Sequence, residues 1–481
     1  MLPLSERTER SLLLPALVYT ALTSAIVSSL GMLLVPTIAE ELSVSVSSAQ
    51  WMLTINLLVG AVATPIMGRL SDGPHKKRLL LVSLATILVG SILAACAPNF
   101  TVFLIGRALQ GLSYGIVPVT IALARRYLAE DKVRVGISSL SVTVSTGLGI
   151  GYPLTGILAS AAGFRAAFAF AAVFLVTASI VVWRIVPNGP DERGLRTRFD
   201  TVGALLLGAG LAALLVAVSE GANWGWSSGW TLSCFLIAAV LLAGWSFVEL
   251  RIPNPLVNLR VVRNKDVLLA NGTAIGLGAA MYIGLPVSSL VAQSPTSTGY
   301  GIALPLFWAG FVMLPLSVGS FGANRIVRAL ARRISLPTLL PLGAGVMTVS
   351  AFLLWFEHDR LWEILVGMFL FGIGIGTTYA AMPALIARSV ADTELGSAVS
   401  FNQVLRTVGG AFGSALSGAV LAAHMGADLH PTDGGITLAF ALGACGSVIV
   451  FAALAVNHVR SLRPSDTSVS TPALHGADLR R

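Results

Sequence analysis

Charged residues are scarce in this 481-residue chain, because Asp, Glu, Lys and Arg together make up only 11% of it. An ordinary soluble domain carries about a quarter charged residues, so this composition excludes a water-soluble surface. Four long stretches carry no charge at all, at residues 11–39, 42–68, 135–164 and 221–248. About 20 apolar residues cross a bilayer as a helix, and backbone amides must be paired inside hydrocarbon. These unalternating stretches therefore predict an all-α integral membrane protein.

Cysteine is also rare, and Cys96, Cys234 and Cys445 show neither metal-ligand spacing nor the even number of a disulfide framework. The chain has no H-E-x-x-H pair and no G-x-x-x-x-G-K-[ST] loop, which argues against a metalloenzyme and an ATP-driven pump. Its formal charge of +9 is divided among short loops, whereas nucleic-acid binding needs basic residues on one face. We therefore expect no catalytic residues, no metal, no cofactor and no nucleic-acid partner.

Fourteen apolar segments qualify as membrane spans. They cover residues 12–36, 47–69, 79–98, 101–124, 136–160, 164–187, 200–219, 230–250, 267–291, 302–322, 335–356, 361–386, 396–423 and 434–457. Of the 31 Lys and Arg residues, only Arg165 and Arg360 lie in or beside the loops of one side of the membrane, and only Arg107 and Arg406 lie deep within spans. The positive-inside rule then predicts that both termini are cytosolic. Since no targeting extension is recognisable, we expect a multi-pass protein of the cell membrane.

The loop after the second span reads GRLSDGPHKKR. It resembles the signature G-x-L-x-D-R-x-G-R-K between the second and third helices of the major facilitator superfamily. The matching positions are Gly68, Leu70, Asp72, Lys76 and Lys77, whereas Gly73 and His75 depart from the signature. The resemblance implies a conformational latch, in which an acid at a helix end bridges neighbouring helix ends and holds one state closed. The alternative is an ordinary solvated basic loop.

The fourth span contains Arg107, Gln110 and Gly111 in the order R-x-x-Q-G, which is similar to a second motif of the same family. In the family's antiporter branch this arginine is linked to proton coupling. An arginine inside a bilayer costs about 2.5–3.5 kcal/mol on insertion scales, so it must face partners or a wet cavity. The alternative role for Arg107 is to tie helices together through backbone carbonyls.

The fifth span reads GLGIGYPLTG and resembles the antiporter motif G-x-x-x-G-P-x-x-G-G. The resemblance assigns close helix packing to Gly147, Gly151, Pro153 and Gly156. Tyr152 and Ile157 replace two glycines of the motif. The motif favours export over uptake, and the span count points to the fourteen-helix drug:proton antiporter branch.

A weak internal repeat supports this family's architecture of two six-helix halves. Setting the fourth span over the twelfth aligns Gly111 with Gly376 and Pro118 with Pro383. We expect a cytosolic N-terminus (1–11), an N-terminal half (12–187), two inserted helices with linkers (188–265), a C-terminal half (266–457) and a disordered cytosolic tail (458–481). The substrate site of such a fold lies between the halves near the membrane midplane.

The spans depart from the antiporter branch in their lack of acid. The first span has Val27 where that branch usually carries an aspartate, and no Asp or Glu lies near the middle of any span. The charges deep in the bilayer are Arg107 and Arg406, with Gln110, Asn402 and Gln403 as polar neighbours. We therefore predict an electropositive central cavity that prefers neutral or anionic amphiphiles. The alternative is that carbonyl groups and water neutralise both arginines.

Together these features predict a secondary active transporter that exports amphiphilic small molecules by alternating access. The proton gradient is the expected energy source, and the expected partners are the lipid bilayer, the small-molecule substrate and protons. We expect a monomer. Uptake or facilitated diffusion of a metabolite on the same fold is the main alternative, and a membrane receptor or enzyme is a remote one.

Overall fold

The computed structural model describes residues 4–31, 33–44, 46–188, 200–253, 255–262, 264–330, 336–391, 394–426 and 430–462. Within these ranges the chain is helical, and its β structure is limited to one isolated bridge between Met425 and Pro431. The predicted all-α class is therefore confirmed. The linker segment 189–199 and the tail from residue 463 onwards lie outside the described residues.

The helices before the inserted pair form the N-terminal set. They are α1 (Leu4–Ser29), α2 (Val35–Glu41), α3 (Val46–Asp72), α4 (Lys76–Ala95), α5 (Phe100–Gln110), α6 (Ile116–Tyr127) and α7 (Glu130–Ile185), with a 3₁₀ turn at Gly111–Gly115 joining α5 to α6. The inserted pair is α8 (Thr201–Trp224) and α9 (Gly229–Glu249).

The remaining helices begin with the short connecting helix α10 (Leu259–Val262). The C-terminal set comprises α11 (Lys265–Gln293), α12 (Leu306–Phe311), α13 (Leu314–Leu330), α14 (Leu336–Phe356), α15 (Leu361–Ser389), α16 (Leu395–Ala423) and α17 (Asp433–Leu462).

The number of membrane crossings agrees with the sequence. Thirteen described helices are long and apolar enough to cross a membrane. One of them, α7, is interrupted by non-helical backbone at Ala162 and Gly163, where Gly163 has a φ of 75°. Glycine tolerates this left-handed region because it has no Cβ. The interruption divides α7 into the predicted fifth and sixth spans, which brings the total to fourteen.

Several predicted boundaries are wrong. The first span ends at Ser29 rather than residue 36, because the chain turns at Gly31 (φ 94°) and starts a separate helix, α2. The tenth span begins at Leu306 rather than residue 302. Helix α17 continues to Leu462, so residues 458–462 are helical rather than part of a disordered tail.

The two sets pack against each other through a few helices. Helix α3 contacts α16, and α7 contacts α12, α13 and α15. The inserted helices α8 and α9 pack against each other, while α8 also lies against α3 and α16. Large apolar side chains of α9, such as Trp230 and Leu236, are exposed. This exposure is expected of a helix that faces lipid acyl chains rather than water.

Candidate functional site

A small cavity lies between the N-terminal and C-terminal sets. Its volume is about 40 Å³, and its walls come from α1, the 3₁₀ turn, α6, α7, α11, α15 and α16. The lining residues are Ser24, Ala25, Ser28, Ser113, Tyr114, Val117, Val144, Met281, Tyr282, Tyr379, Gln403, Arg406 and Thr407. Pockets that bind drug-sized ligands measure about 300–1,000 Å³, so the cavity must widen before it can admit such a ligand.

Arg406 supplies the positive charge in the wall of this cavity. Its guanidinium carbon lies 4.1 Å from the centre of the Tyr379 ring, a distance at which the ring face attracts a cation. None of the lining residues is Asp or Glu, and Arg406 forms no ion pair with a carboxylate among the described residues. The cavity wall therefore holds a cation without a carboxylate partner in the described part of the chain, and the preference for neutral or anionic amphiphiles stays a prediction.

Tyrosines form the aromatic part of the wall. Tyr114 and Tyr282 both line the cavity, and the Tyr379 hydroxyl donates to the Met281 sulfur at 3.6 Å. Sequence reasoning missed these residues as a group. A signal was present, because the same internal alignment that pairs Gly111 with Gly376 also places Tyr114 over Tyr379.

Of the two predicted amide neighbours on α16, Gln403 lines the cavity and Asn402 does not. The Asn402 side chain donates to the Ala270 carbonyl and to the Asn271 amide oxygen, both at 3.0 Å. These bonds hold α16 to α11, so the prediction that Asn402 faces the cavity is corrected. The physical reason is rotation: consecutive residues on a helix point about 100° apart.

Arg107 also lies away from the cavity, which corrects its placement there. It is completely buried. Its Nε donates to the Met52 carbonyl at 3.3 Å, and one terminal nitrogen donates to the Gln110 side chain at 2.6 Å. Gln110 in turn donates to the Ser91 hydroxyl at 2.8 Å. This network joins α3, α4 and α5, so Arg107 ties helices together, whereas its role in proton coupling stays a prediction.

Gly111 lets α3 approach this network. A Cβ added at Gly111 would lie 2.7 Å from the Asn56 carbonyl oxygen and 3.1 Å from the Gly60 nitrogen. Both atoms belong to the α3 backbone, so they cannot move aside easily. The glycine of the R-x-x-Q-G motif therefore serves close helix packing rather than the cavity surface.

Asp72 joins the two sets at the end of α3. Its carboxylate oxygens accept hydrogen bonds from the backbone nitrogens of Gly396 and Ser397, at 2.7 and 3.0 Å. These two nitrogens lie in the first turn of α16, where unpaired amides and the helix dipole favour an anion. The Asp72 side chain is buried. We call this contact the Asp72 latch.

The other motif residues divide between the latch and its surroundings. Gly68 faces α16, where an added Cβ would meet the Ser400 side chain and the Gly396 carbonyl oxygen. The Leu70 side chain is exposed. Lys76 donates to the Gly73 carbonyl, and Lys77 donates to the Trp183 carbonyl and to Asn188. Thus Gly68 and Asp72 contact the C-terminal set, whereas these hydrogen bonds of Lys76 and Lys77 join them to the N-terminal part of the chain.

A second contact between the sets lies at the same end of the bundle. Arg125 lies two residues before the end of α6. Its guanidinium donates to the Ala387 carbonyl at 2.5 Å and to the Val390 carbonyl at 3.2 Å. Both acceptors lie at the end of α15, where free carbonyl groups favour a cation. Sequence reasoning missed this contact, since Arg125 was indistinguishable from any other basic loop residue.

Small residues of the antiporter motif allow close packing on two sides of α7. An added Cβ at Gly147 would lie 2.5 Å from the Ala25 Cβ, and one at Gly151 would meet the Ser29 hydroxyl, so both positions face α1. Gly156 faces α12 instead, 3.2 Å from the Leu306 carbonyl oxygen. Across the same contact, a Cβ at Gly310 would lie 2.9 Å from the Tyr152 carbonyl oxygen and 3.1 Å from the Pro153 Cα.

Gly310→Ala is therefore expected to destabilise the protein by about 1–3 kcal/mol, the usual cost of overpacking, because backbone atoms of α7 block the new methyl group. Thermal unfolding in detergent measures the effect. Gly272→Ala in α11 is the matched control, since an added Cβ there has no neighbour within 4 Å, and it should leave the melting temperature unchanged or raise it slightly. Equal melting temperatures for the two variants would contradict the packing seen here.

Comparison with known proteins identifies the family. The sequence profile described as Major Facilitator Superfamily matches residues 16–414 and 329–474. The chain is 28% identical to multidrug resistance protein Stp of Mycobacterium tuberculosis (82% of this chain, 73% of Stp). It is 29% identical to puromycin resistance protein pur8 of Streptomyces alboniger (87% and 85%). It is 27% identical to the tetracenomycin C resistance and export protein of Streptomyces glaucescens (82% and 73%).

Solved structures agree on the fold. The chain superposes on the human organic anion transporter MFSD10 (TETRAN) with a TM-score of 0.66, covering 92% of this chain and 99% of that one at 14% sequence identity. At that identity the likeness concerns the fold alone. The match of the family profile to most of the chain, and the fourteen-span helical fold, show that this protein is a membrane transporter of the Major Facilitator Superfamily.

Proposed function

We propose that this transporter exports amphiphilic small molecules from the cytosol by alternating access, driven by the proton gradient. The relatives named for multidrug resistance, puromycin resistance and tetracenomycin C export support the direction and the class of substrate. The motif around Pro153 supports export as well. The observation that carries the proposal is the aromatic cavity between the two sets, with Arg406 as its cation.

The arrangement of the contacts suits alternating access. The Asp72 latch and the Arg125 contact close one end of the bundle, and the packing of α7 on α12 lies toward the other. A central site enclosed on both sides must open to one face at a time, by rocking of the two sets against each other. Since one chain supplies every wall of the cavity, we propose that the protein works as a monomer.

The basic loops support an orientation in the cell membrane. The Asp72 end of the bundle carries Arg69, Lys76, Lys77, Arg125 and Arg126, whereas Arg165 lies at the opposite end. The positive-inside rule therefore favours a cytosolic location for the Asp72 latch and for both termini.

Transport into proteoliposomes tests the proposal. We expect an imposed pH gradient to drive movement of amphiphilic dyes by the wild-type protein, and Arg107→Ala to lower this movement at least tenfold. Arg165→Ala is the control, because Arg165 is half exposed and pairs with Glu41 at 3.4 Å at the end of the bundle opposite the Asp72 latch. Melting temperatures of both variants separate a loss of coupling from a loss of folding.

Two other outcomes would change the proposal. Dye movement that ignores the gradient in the wild-type protein would favour facilitated diffusion, and the lack of acid in the cavity wall would explain it. If dye transport by the Arg107→Ala variant still depends on the pH gradient, the role of Arg107 is limited to tying α3, α4 and α5 together.

A further inference from the structure

Three potential metal ligands meet at the end of the bundle opposite the Asp72 latch. His358 and Asp359 follow the end of α14, and Asp433 begins α17. One ligand atom from each residue lies within 4.8 Å of the other two. The His358 side chain is only 5% exposed, whereas the Asp433 side chain is 64% exposed. The group is therefore buried at His358 and open to solvent at Asp433.

The hydrogen bonding of His358 leaves one ring nitrogen free to bind a ligand. Its Nδ1 lies 2.9 Å from the Leu354 carbonyl oxygen. A carbonyl only accepts hydrogen bonds, so Nδ1 carries the proton and Nε2 of the neutral ring carries a lone pair. This Nε2 is buried and has no hydrogen-bond partner. The Phe440 ring, 5.2 Å away, holds the imidazole in place.

The free nitrogen points toward the carboxylates. Nε2 lies 3.7 Å from an Asp433 carboxylate oxygen, which is too long for a hydrogen bond. Two ligands that each bind Zn²⁺ at about 2.0–2.1 Å lie about 3.3 Å apart in tetrahedral geometry. The observed separation is close to this value, so an ion would bridge the two atoms after a small movement.

We infer that His358, Asp359 and Asp433 form a binding site for a transition-metal dication of the Zn²⁺ class. Two carboxylates neutralise the ion, the imidazole nitrogen selects it over Mg²⁺ and Ca²⁺, which prefer oxygen ligands, and water completes the coordination. A histidine that donates its other ring nitrogen to a backbone carbonyl is the usual arrangement in such sites. The sequence spacing did not indicate this site, because Asp433 is distant along the chain.

The location of the site defines what the ion would do. Helices α14 and α17 pack against each other within the C-terminal set. An ion held by residues that flank both helices fastens them together and leaves the contacts between the two sets unchanged. Binding to the folded state alone raises the melting temperature by mass action, so we expect stabilisation without inhibition of transport.

Zinc titration of the full-length protein, purified in detergent with its affinity tag removed and treated with chelator, tests the inference. We expect one equivalent of Zn²⁺ to bind by calorimetry and to raise the melting temperature by roughly 3–5 °C. His358→Gln should abolish this binding, and Asp433→Asn and Asp359→Asn should each weaken it at least tenfold. The two Asp variants leave the buried packing of His358 on Phe440 intact, so they report on the site even if His358→Gln is less stable.

His424→Gln is the matched control. His424 makes the same Nδ1 contact, 2.9 Å from the Val420 carbonyl oxygen, but belongs to no such group of ligands among the described residues. We expect it to bind Zn²⁺ like the wild-type protein. The inference is overturned if His358→Gln retains wild-type zinc binding, if 1:1 binding is absent in the wild-type protein, or if Mg²⁺ binds as tightly as Zn²⁺.

Discussion

Arg406→Gln is expected to lower transport of an anionic amphiphile at least tenfold, while a cation of the same shape loses little or gains. Two unit charges about 4 Å apart at an effective dielectric constant of 20 attract by about 4 kcal/mol, and tenfold corresponds to about 1.4 kcal/mol. Desolvation of the substrate offsets part of this attraction. We therefore expect a net loss of about 1.4 kcal/mol or more, which is the tenfold change in transport. Proteoliposome uptake with a matched anion and cation pair measures the difference.

Two further variants isolate the charge of Arg406 from its packing. Arg406→Lys keeps the charge but loses the flat stacking on Tyr379, so it should retain part of the anion transport. Tyr379→Phe keeps the ring face 4.1 Å from the guanidinium carbon and should change the anion preference little. An equal fall for anion and cation would make Arg406 a packing residue, and stronger competition by the cation in the wild-type protein would refute an electropositive cavity.

The fold was predictable because the bilayer imposes strict limits on composition. A chain with 11% charge must form helices long enough to cross hydrocarbon, and the predicted gap between the fifth and sixth spans coincides with the interruption of α7 at Ala162 and Gly163. The errors fall where the chain turns inside an apolar segment. At Gly31 and before Leu306 the hydropathy continues although the helix does not, so composition alone could not show the boundary.

The candidate site was only partly predictable, because the direction of a side chain depends on how each helix is rotated. Arg107 and Arg406 look alike in the sequence, since each lies deep in a span and three residues from a glutamine. The structure buries Arg107 among α3, α4 and α5, whereas Arg406 lines the cavity. Tyr282 was missed for the same reason: one polar ring in an apolar helix carries no information about the face on which it lies.

The Asp72 latch leads to the other large effect. Asp72→Asn is expected to shift the protein from the state closed at the Asp72 end to the state open there. The variant amide loses the charge that binds the first turn of α16, and it retains only one oxygen for the two backbone nitrogens that Asp72 now satisfies. Hydrogen bonds to charged groups contribute about 1.5–3 kcal/mol. Losing this much shifts the equilibrium between the states by about tenfold or more.

Spin-label distances across the two sets measure the shift. The three native cysteines are first replaced. The labels are then attached to cysteines introduced by Lys132→Cys in the N-terminal set and Ala391→Cys in the C-terminal set, both at exposed positions near the latch. We expect Asp72→Asn to transfer most of the distance distribution to longer values and to lower dye export at least tenfold, since a carrier that does not close cannot complete its cycle.

The matched control for the latch is Asp266→Asn. Asp266 accepts two hydrogen bonds from Arg388, at 2.9 and 2.5 Å, but this ion pair joins α11 to α15 inside the C-terminal set. Its loss removes a carboxylate from the same end of the bundle but removes no direct contact between the sets, so we expect the distance distribution of the wild-type protein. If both variants lengthen the distances alike, Asp72 contributes general electrostatic stability. If neither does, the Arg125 contact with the end of α15 holds that end closed by itself.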